Sequence, residues 1–494
     1  MPVETGITAN QIISELSKSP HGKLADYVPT CKVAATEKPE LLARLIAWNR
    51  VKGQVRDSKV AFPVVSLSVE AFNDAEFIDN SLAHIASLGP RELLRALRFS
   101  IELRLPGRMR SVRRVVERYL RDREGKWPKW ERMALQHRAT LRELYALAHI
   151  KPCEAANVIL YGRSLDKTKF GPPAGSVFEI VSRLKDMSPL EAAGQIMEWK
   201  IPFLVAMGAL GAKAKDPDLV LALIGRMTPT ELVTNTKMLQ RLGIEKNPAL
   251  RAAFQQAIGK AAGSSANVLK TSRAAEAFED NEELSEKLKG LQERQIEKLG
   301  GIEGNWLVLA DKSGSMTAAI DIARQVSAIL SKAVKGRVHL VFFDSHPRSF
   351  DVTGKTYDEI QEITWRVSAD GQTSIGCGLQ WALDSMTEVD GIAIVSDGGE
   401  NHTPLFYQVY PRYCQLVGKD VPVYFYRTHR GFDGFSSSLK TSSIDFQLFE
   451  TLAGIDYYSV TNLVQTMRTA RFGLVDEIMQ TPLLKLDQVL PVLA

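Results

Sequence analysis

The sequence holds few of the residues that make covalent cross-links or thiolate metal sites. Four cysteines (Cys31, Cys153, Cys377, Cys414) are scattered over 494 residues with no C-x-x-C pair. They fit neither a zinc site nor a disulfide scaffold, and scattered reduced thiols fit the cytoplasm. No window approaches about 18 uninterrupted apolar residues, so no transmembrane helix and no membrane partner are expected. Residues Met1 to Asn10 lack a basic stretch followed by an apolar run, so no secretory signal is expected. No G-x-x-x-x-G-K-S/T loop is present, and Gly398-Gly399 is too short to cradle phosphates. Nor do the residues suggest a nucleophile–His–acid set. These absences point away from an enzyme.

What is present is uneven charge. The net charge of +5 hides a basic front and an acidic back: residues 301–494 hold 16 Lys+Arg against 22 Asp+Glu, leaving 46 against 35 for residues 1–300. Residues 91–138 alone hold 15 basic and 6 acidic residues. Such asymmetry is expected when one domain meets a polyanion. The length implies more than one core.

The front predicts short helices with repeated start signals. Ser188-Pro189-Leu190-Glu191 and Thr228-Pro229-Thr230-Glu231 match a capping box with proline at the first helical position. Asp216-Pro217 and Asn247-Pro248 repeat the cap-then-proline arrangement, and Gly89-Pro90 begins another apolar-periodic run. Closely spaced short helices predict stacked pairs, a solenoid similar to HEAT repeats, although no fixed period emerges.

One helix stands apart. Arg110, Arg113, Arg114, Arg118 and Arg121 share a face at helical spacing, opposite Val112, Val115, Val116, Tyr119 and Leu120. A solvated face usually mixes signs for i,i+4 pairing; an arginine row with Glu117 as its one acid predicts phosphate binding. Tyr119, Trp127 and Trp130 read as core residues, with stacking on unpaired bases as the functional alternative. Farther on, Thr140 and Glu143 suggest a capping box for a helix that Pro152 ends. His149 and Lys151 lie at its end, where the helix dipole favours cations.

The back reads differently. Gly300-Gly301-Ile302-Glu303-Gly304 marks a boundary, and Trp306–Ala310 is a continuous apolar run of the kind found in buried parallel strands. Further strands are predicted at Val338–Phe343, Ile392–Val395 and Val421–Tyr426, with helical segments between them. Together these give a doubly wound, Rossmann-like parallel sheet with its site at the carboxyl edge. The first run delivers Asp311-Lys312-Ser313-Gly314-Ser315. Alternate side chains of a tight turn point the same way, so Asp311, Ser313 and Ser315 converge. Thr373 comes from a glycine-containing loop and Asp397 ends a strand. Five hard oxygen ligands predict Mg²⁺ or Mn²⁺ rather than zinc.

These metal loops resemble the metal-ion-dependent adhesion site of von Willebrand factor A domains. The whole chain resembles the Ro autoantigen family, a TROVE module followed by an A domain. The basic helix and Leu147-Ala148-His149-Ile150-Lys151-Pro152 carry the choice of Ro, and the likeness spans about residues 80–480. It implies a TROVE helical-repeat ring over residues 1–299 and an A-like domain over 300–494. It also implies binding of small structured Y-like RNAs on the ring's outer surface, with single-stranded RNA ends passing through the hole, in non-coding RNA quality control or processing. A nuclease or other RNA-processing factor would be the protein partner at the metal site. His149 inherits a place on the Y-RNA surface. Two positions depart from the pattern: Gln136 stands where an arginine is usual, with Arg132 and Arg138 near it, and Gln372 stands where a second glycine is common. The alternative function is a metal-dependent adaptor for a chaperone-type ATPase, which the basic segment does not favour.

Overall fold

The computed structural model describes residues 9–14, 23–53, 55–162, 171–261, 271, 274–275, 277–278, 281–298, 302–314, 316–428, 434–450 and 471–490. Helices fill the front and a six-stranded sheet with flanking helices fills the back. The expected boundary at residues 299/300 describes chain order, but the compact units cross it. One unit comprises residues 1–62 with 296–482, the other 63–295 with 483–494. The crossing depends on pairings between distant segments, which local composition does not encode. In the first unit, Trp48 Nε1 donates to Glu477 Oε1 at 2.9 Å and Arg44 donates to the Thr481 carbonyl at 3.0 Å. In the second, the Leu484 and Leu486 N–H groups donate to Asn80 and Asp79 side chains, both at 2.9 Å.

Helix starts follow the capping chemistry. Ser188 and Thr228 each complete a capping box, with Glu191 and Glu231 returning to the cap N–H, and each helix has proline in its first turn. Asp216 accepts from the Asp218 N–H and Asn247 from the Ala249 N–H. Helix Pro189–Glu198 packs on Pro217–Arg226, and that helix on Pro248–Ala261. This alternate-helix stacking is the repeat geometry that the short, closely spaced helices predict.

One helix start is not where the sequence puts it. Non-helical His137 divides Trp127–Ala148 into two helical stretches, and the second has already begun before Thr140. Glu143 is drawn away from a capping role by Arg98, whose Nε donates to its Oε1 at 2.7 Å.

The sheet runs β3-β2-β1-β4-β5-β6, with β1 Trp306–Asp311, β2 Val338–Phe343, β3 Pro347–Asp351, β4 Gly391–Ser396, β5 Val423–Arg427 and β6 Phe446–Glu450. All neighbours are parallel except β2 and β3. β1 and β4 are buried along their whole lengths, as continuous apolar runs require. Leu307, Leu309, Val341 and Phe343 meet Ile375, Leu379, Phe406 and Tyr413 from the covering helices. β3 and β6 are edge strands absent from the sequence reading. β3 begins at a proline and is largely exposed, so no apolar run announces it. The chain places β2 on one side of β1 and β4 on the other, so strand order reverses between β1 and β4, where ligands collect in such sheets.

Candidate metal centre and basic surface

The reversal point carries the oxygen donors. Asp311 ends β1, and Ser396-Asp397 lies at the end of β4 beside it, since Ala310 is in register with Val395. Asp311 is fully buried. Its Oδ2 accepts from the Ser396 hydroxyl at 2.7 Å and its Oδ1 from the Ser313 N–H at 2.8 Å. Burial pushes the Asp311 carboxyl above its ordinary range, the hydrogen bonds from Ser396 and Ser313 oppose that, and the Asp397 charge adds to it. A buried acid facing a second acid is a place where a cation is favourable.

The other donors are held by stitched loops. The Thr373 N–H donates to Asn401 Oδ1 at 3.0 Å, while Asn401 and His402 N–H groups both donate to the Thr373 carbonyl. The Asp370 N–H donates to the Lys312 carbonyl at 2.7 Å, tying this loop to the one after β1. Asp397 Oδ1 accepts from the Gly399 N–H at 2.8 Å. Ser313 and Thr373 are buried, whereas Asp397 is partly open to solvent. Ser315, and Gly300-Gly301 of the boundary motif, lie outside the described residues. Lys312 pairs with Asp344. Among the described residues no three His, Cys, Asp or Glu side chains cluster, so any cation here would rely on hydroxyls beside Asp311 and Asp397. That set suits Mg²⁺ or Mn²⁺.

Ser396 and Asn401 are supports that the sequence reading missed. Their role depends on which loops meet, and no spacing rule encodes that. Glu400 is a third: its Oε1 accepts from the Gly376 and Phe406 N–H groups, both at 2.9 Å, joining the starts of two helices. Burial pushes its carboxyl up to about 7 against these backbone bonds.

The basic helix is Met109–Glu124, and it buries Val112, Val115, Val116, Tyr119 and Leu120 as its pattern requires. Its arginine row is less uniform than the sequence suggests. Arg110 and Arg114 are exposed, while Arg113 is partly buried with no hydrogen-bond partner for its Nε among the described residues. Arg118 pairs with Asp487 at 2.8 Å and donates to the Leu490 carbonyl at 2.5 Å. Arg121 pairs with Glu124 at 2.6 Å and donates to the Lys151 carbonyl at 2.9 Å. Two of the five charges therefore have partners, because Asp487 is distant in sequence and Glu124 lies a turn away.

Those partners bring the other basic residues near. Glu124 also accepts from the Tyr145 hydroxyl at 2.7 Å and the Cys153 N–H at 2.9 Å, so the 149–153 turn is fixed to the end of the basic helix. His149, exposed, adopts φ 60°, ψ 42° as the left-handed cap of helix Trp127–Ala148, a conformation that usually selects glycine. Lys151 is exposed beside it. Arg132 and Arg138 are exposed on the long helix, donating to the Pro128 and Leu160 carbonyls. The aromatic residues are engaged: Trp127 stacks on Trp130 at 4.9 Å, buried Trp130 donates to the Tyr145 hydroxyl, and Arg123 lies over buried Tyr119.

No protein-family model matches the chain, and no curated protein sequence matches it. Among solved structures, it is similar to the crystal structure of the Deinococcus radiodurans Ro (RSR) protein, with a TM-score of 0.67 at 13% sequence identity. That match covers 93% of this chain and 100% of the other. The fold is thus that of a helical domain joined to an α/β domain of the A type. Among the described residues, no helix is long and apolar enough to cross a membrane.

Proposed function

We propose that this chain is an RNA-binding protein of the Ro type, acting by binding rather than by catalysis in non-coding RNA quality control or processing in the cytoplasm. The observation that carries this is a helix that exposes Arg110 and Arg114 and, at its far end, fixes the turn bearing exposed His149 and Lys151 through Arg121 and Glu124. Exposed guanidiniums serve phosphates through charge and bidentate hydrogen bonding. Arg132 and Arg138 add exposed guanidiniums on the neighbouring helix. The fold shared with a Ro protein adds support. The finer reading is a small structured Y-like RNA on this surface, together with recognition of single-stranded RNA ends.

The α/β domain would hold Mg²⁺ or Mn²⁺ through Asp311, Ser313, Ser315, Thr373 and Asp397. The cation would supply an open coordination position for a carboxylate of a protein partner, such as a nuclease or another RNA-processing factor. Crosslinking followed by RNA sequencing tests the proposal, with the ratio of absorbance at 260 to 280 nm of purified protein as a first readout. Recovery of small structured RNAs crosslinked around residues 110–151 is expected. Protein that carries and binds no RNA, yet binds the cation and a chaperone-type ATPase, would overturn it in favour of the adaptor.

A further inference from the structure

The α/β domain carries an aromatic and guanidinium cluster with no part in the metal loops. Trp365 is 69% exposed, although burying so large a ring would be favourable. Its backbone is well fixed. Arg324 donates from Nε to Thr364 Oγ1 and from Nη2 to the Thr364 carbonyl, both at 2.8 Å. The Thr364 hydroxyl donates to the Ile360 carbonyl at 2.6 Å, and the Val367 N–H to the Thr364 carbonyl at 2.9 Å. Thr364 and Val367 are buried on either side, so a pinned turn holds the ring out in water.

Two guanidiniums accompany the ring. Arg366 lies 4.8 Å from the Trp365 ring centroid. Arg348, on the exposed edge strand β3, donates to the Arg366 carbonyl at 3.3 Å and stands 5.4 Å over the Phe350 ring. Neither arginine has an ion-pair partner among the described residues. We propose that Trp365, Arg348 and Arg366 form a stacking platform for an unpaired segment of single-stranded RNA.

The chemistry favours this ligand over a protein surface. An unpaired nucleotide offers a flat base for the indole and a phosphate for the guanidiniums, and every base can stack. A protein docking site would gather aliphatic side chains around the ring. Here the exposed residues nearby in sequence are mostly polar or charged (His346, Ser349, Gln361, Glu362, Ser368 and Asp370), with Pro347 and Ile363 the apolar ones. The domain's net negative charge opposes RNA, so the contact is short and stacking dominates it. The inference rests on the RNA-binding reading above and adds a second contact surface to it.

The test is fluorescence-anisotropy titration of the full chain with fluorescein-labelled oligouridylate, an unstructured single strand. Trp365→Ala should weaken binding about tenfold, and Trp365→Phe, which keeps a ring, by clearly less. The Trp365→Ala variant should keep the parent's salt slope, while Arg348→Gln with Arg366→Gln should flatten it by about one unit. If Trp365→Ala binds like the parent while Arg110→Gln with Arg114→Gln weakens binding, the platform is overturned and the proposed function stands. If Trp365→Phe loses as much as Trp365→Ala, ring stacking is not the contact and the platform is overturned. If the parent binds no RNA at all, both readings fall.

Discussion

Arg118 of the basic helix donates to Asp487 Oδ1 at 2.8 Å, a contact between residues 369 positions apart, and its second bond reaches the Leu490 carbonyl. The Arg118 side chain is 11% exposed and that of Asp487 69%. Asp487 and Leu490 therefore lie against the helix that the sequence assigns to phosphate, and Arg118 serves the fold there. Arg118→Gln should lower unfolding stability by about 1–2 kcal/mol, largely through the lost carbonyl bond, because an ion pair with so exposed a partner contributes little. Its RNA salt slope should match the parent's. A flattened slope with unchanged stability would return Arg118 to the RNA surface.

Arg110 and Arg114 should behave in the opposite way. Both are exposed on the same helix, and their joint replacement by Gln should leave stability within about 0.5 kcal/mol. The dependence of log K on log[salt] should become shallower by about two units, since each lost phosphate contact removes slightly less than one. Filter binding across a salt series checks this, and an unchanged slope would make the helix an ordinary solvated face.

His149 predicts a trade between stability and binding. A non-glycine residue at a left-handed helix cap is strained, and such strain gathers at functional sites. His149→Gly should raise stability by about 1 kcal/mol. It should weaken binding of a structured small RNA by about 1–2 kcal/mol, the worth of one hydrogen bond to a charged group. Calorimetry and RNA titration of one variant read both signs. A gain in stability with no loss of binding would make His149 a cap alone.

Asp311→Ala should abolish Mg²⁺ or Mn²⁺ binding, measured by isothermal titration, and leave RNA binding intact. Because Asp311 is fully buried and bonded to Ser396 and Ser313, some loss of stability is expected too. Asp397→Ala, at a partly exposed position, offers the cleaner comparison. Cation binding unchanged in both variants would remove the site.

Glu400 gives the α/β domain a pH signature. Burial raises its carboxyl from 4.5 to about 7, so the folded state keeps a proton that the unfolded chain releases between those values. Its contribution to stability therefore falls as pH rises through that window, and the cost of the buried charge remains above it. Glu400→Gln keeps an acceptor for the Gly376 and Phe406 N–H groups and removes the charge. The stability of the variant relative to the parent should rise by about 2–3 kcal/mol from acid to mildly alkaline pH. A pH-independent difference in denaturation midpoints would contradict this.

Much of this was legible in the chain itself. The run Trp306–Ala310 could be only a strand buried on both faces, and Ser188 and Thr228 could hardly avoid starting helices, because these signals act over a few residues. The order of Asp311, Ser313, Thr373 and Asp397 on strand ends and the loops beside them was legible for the same reason. β3 and β6 were not, since edge strands need no apolar run and take their pairing from a neighbour. The tertiary structure alone decided that residues 1–62 pack with the α/β domain, that Asp487 takes Arg118, and that Asn401 holds Thr373. It also decided that Glu143 answers Arg98 instead of capping a helix at Thr140. A charge or a hydroxyl has more than one partner compatible with its local sequence. Which one it meets is set by segments hundreds of residues away, brought there by burial of apolar faces that do not specify the polar contacts at their margins.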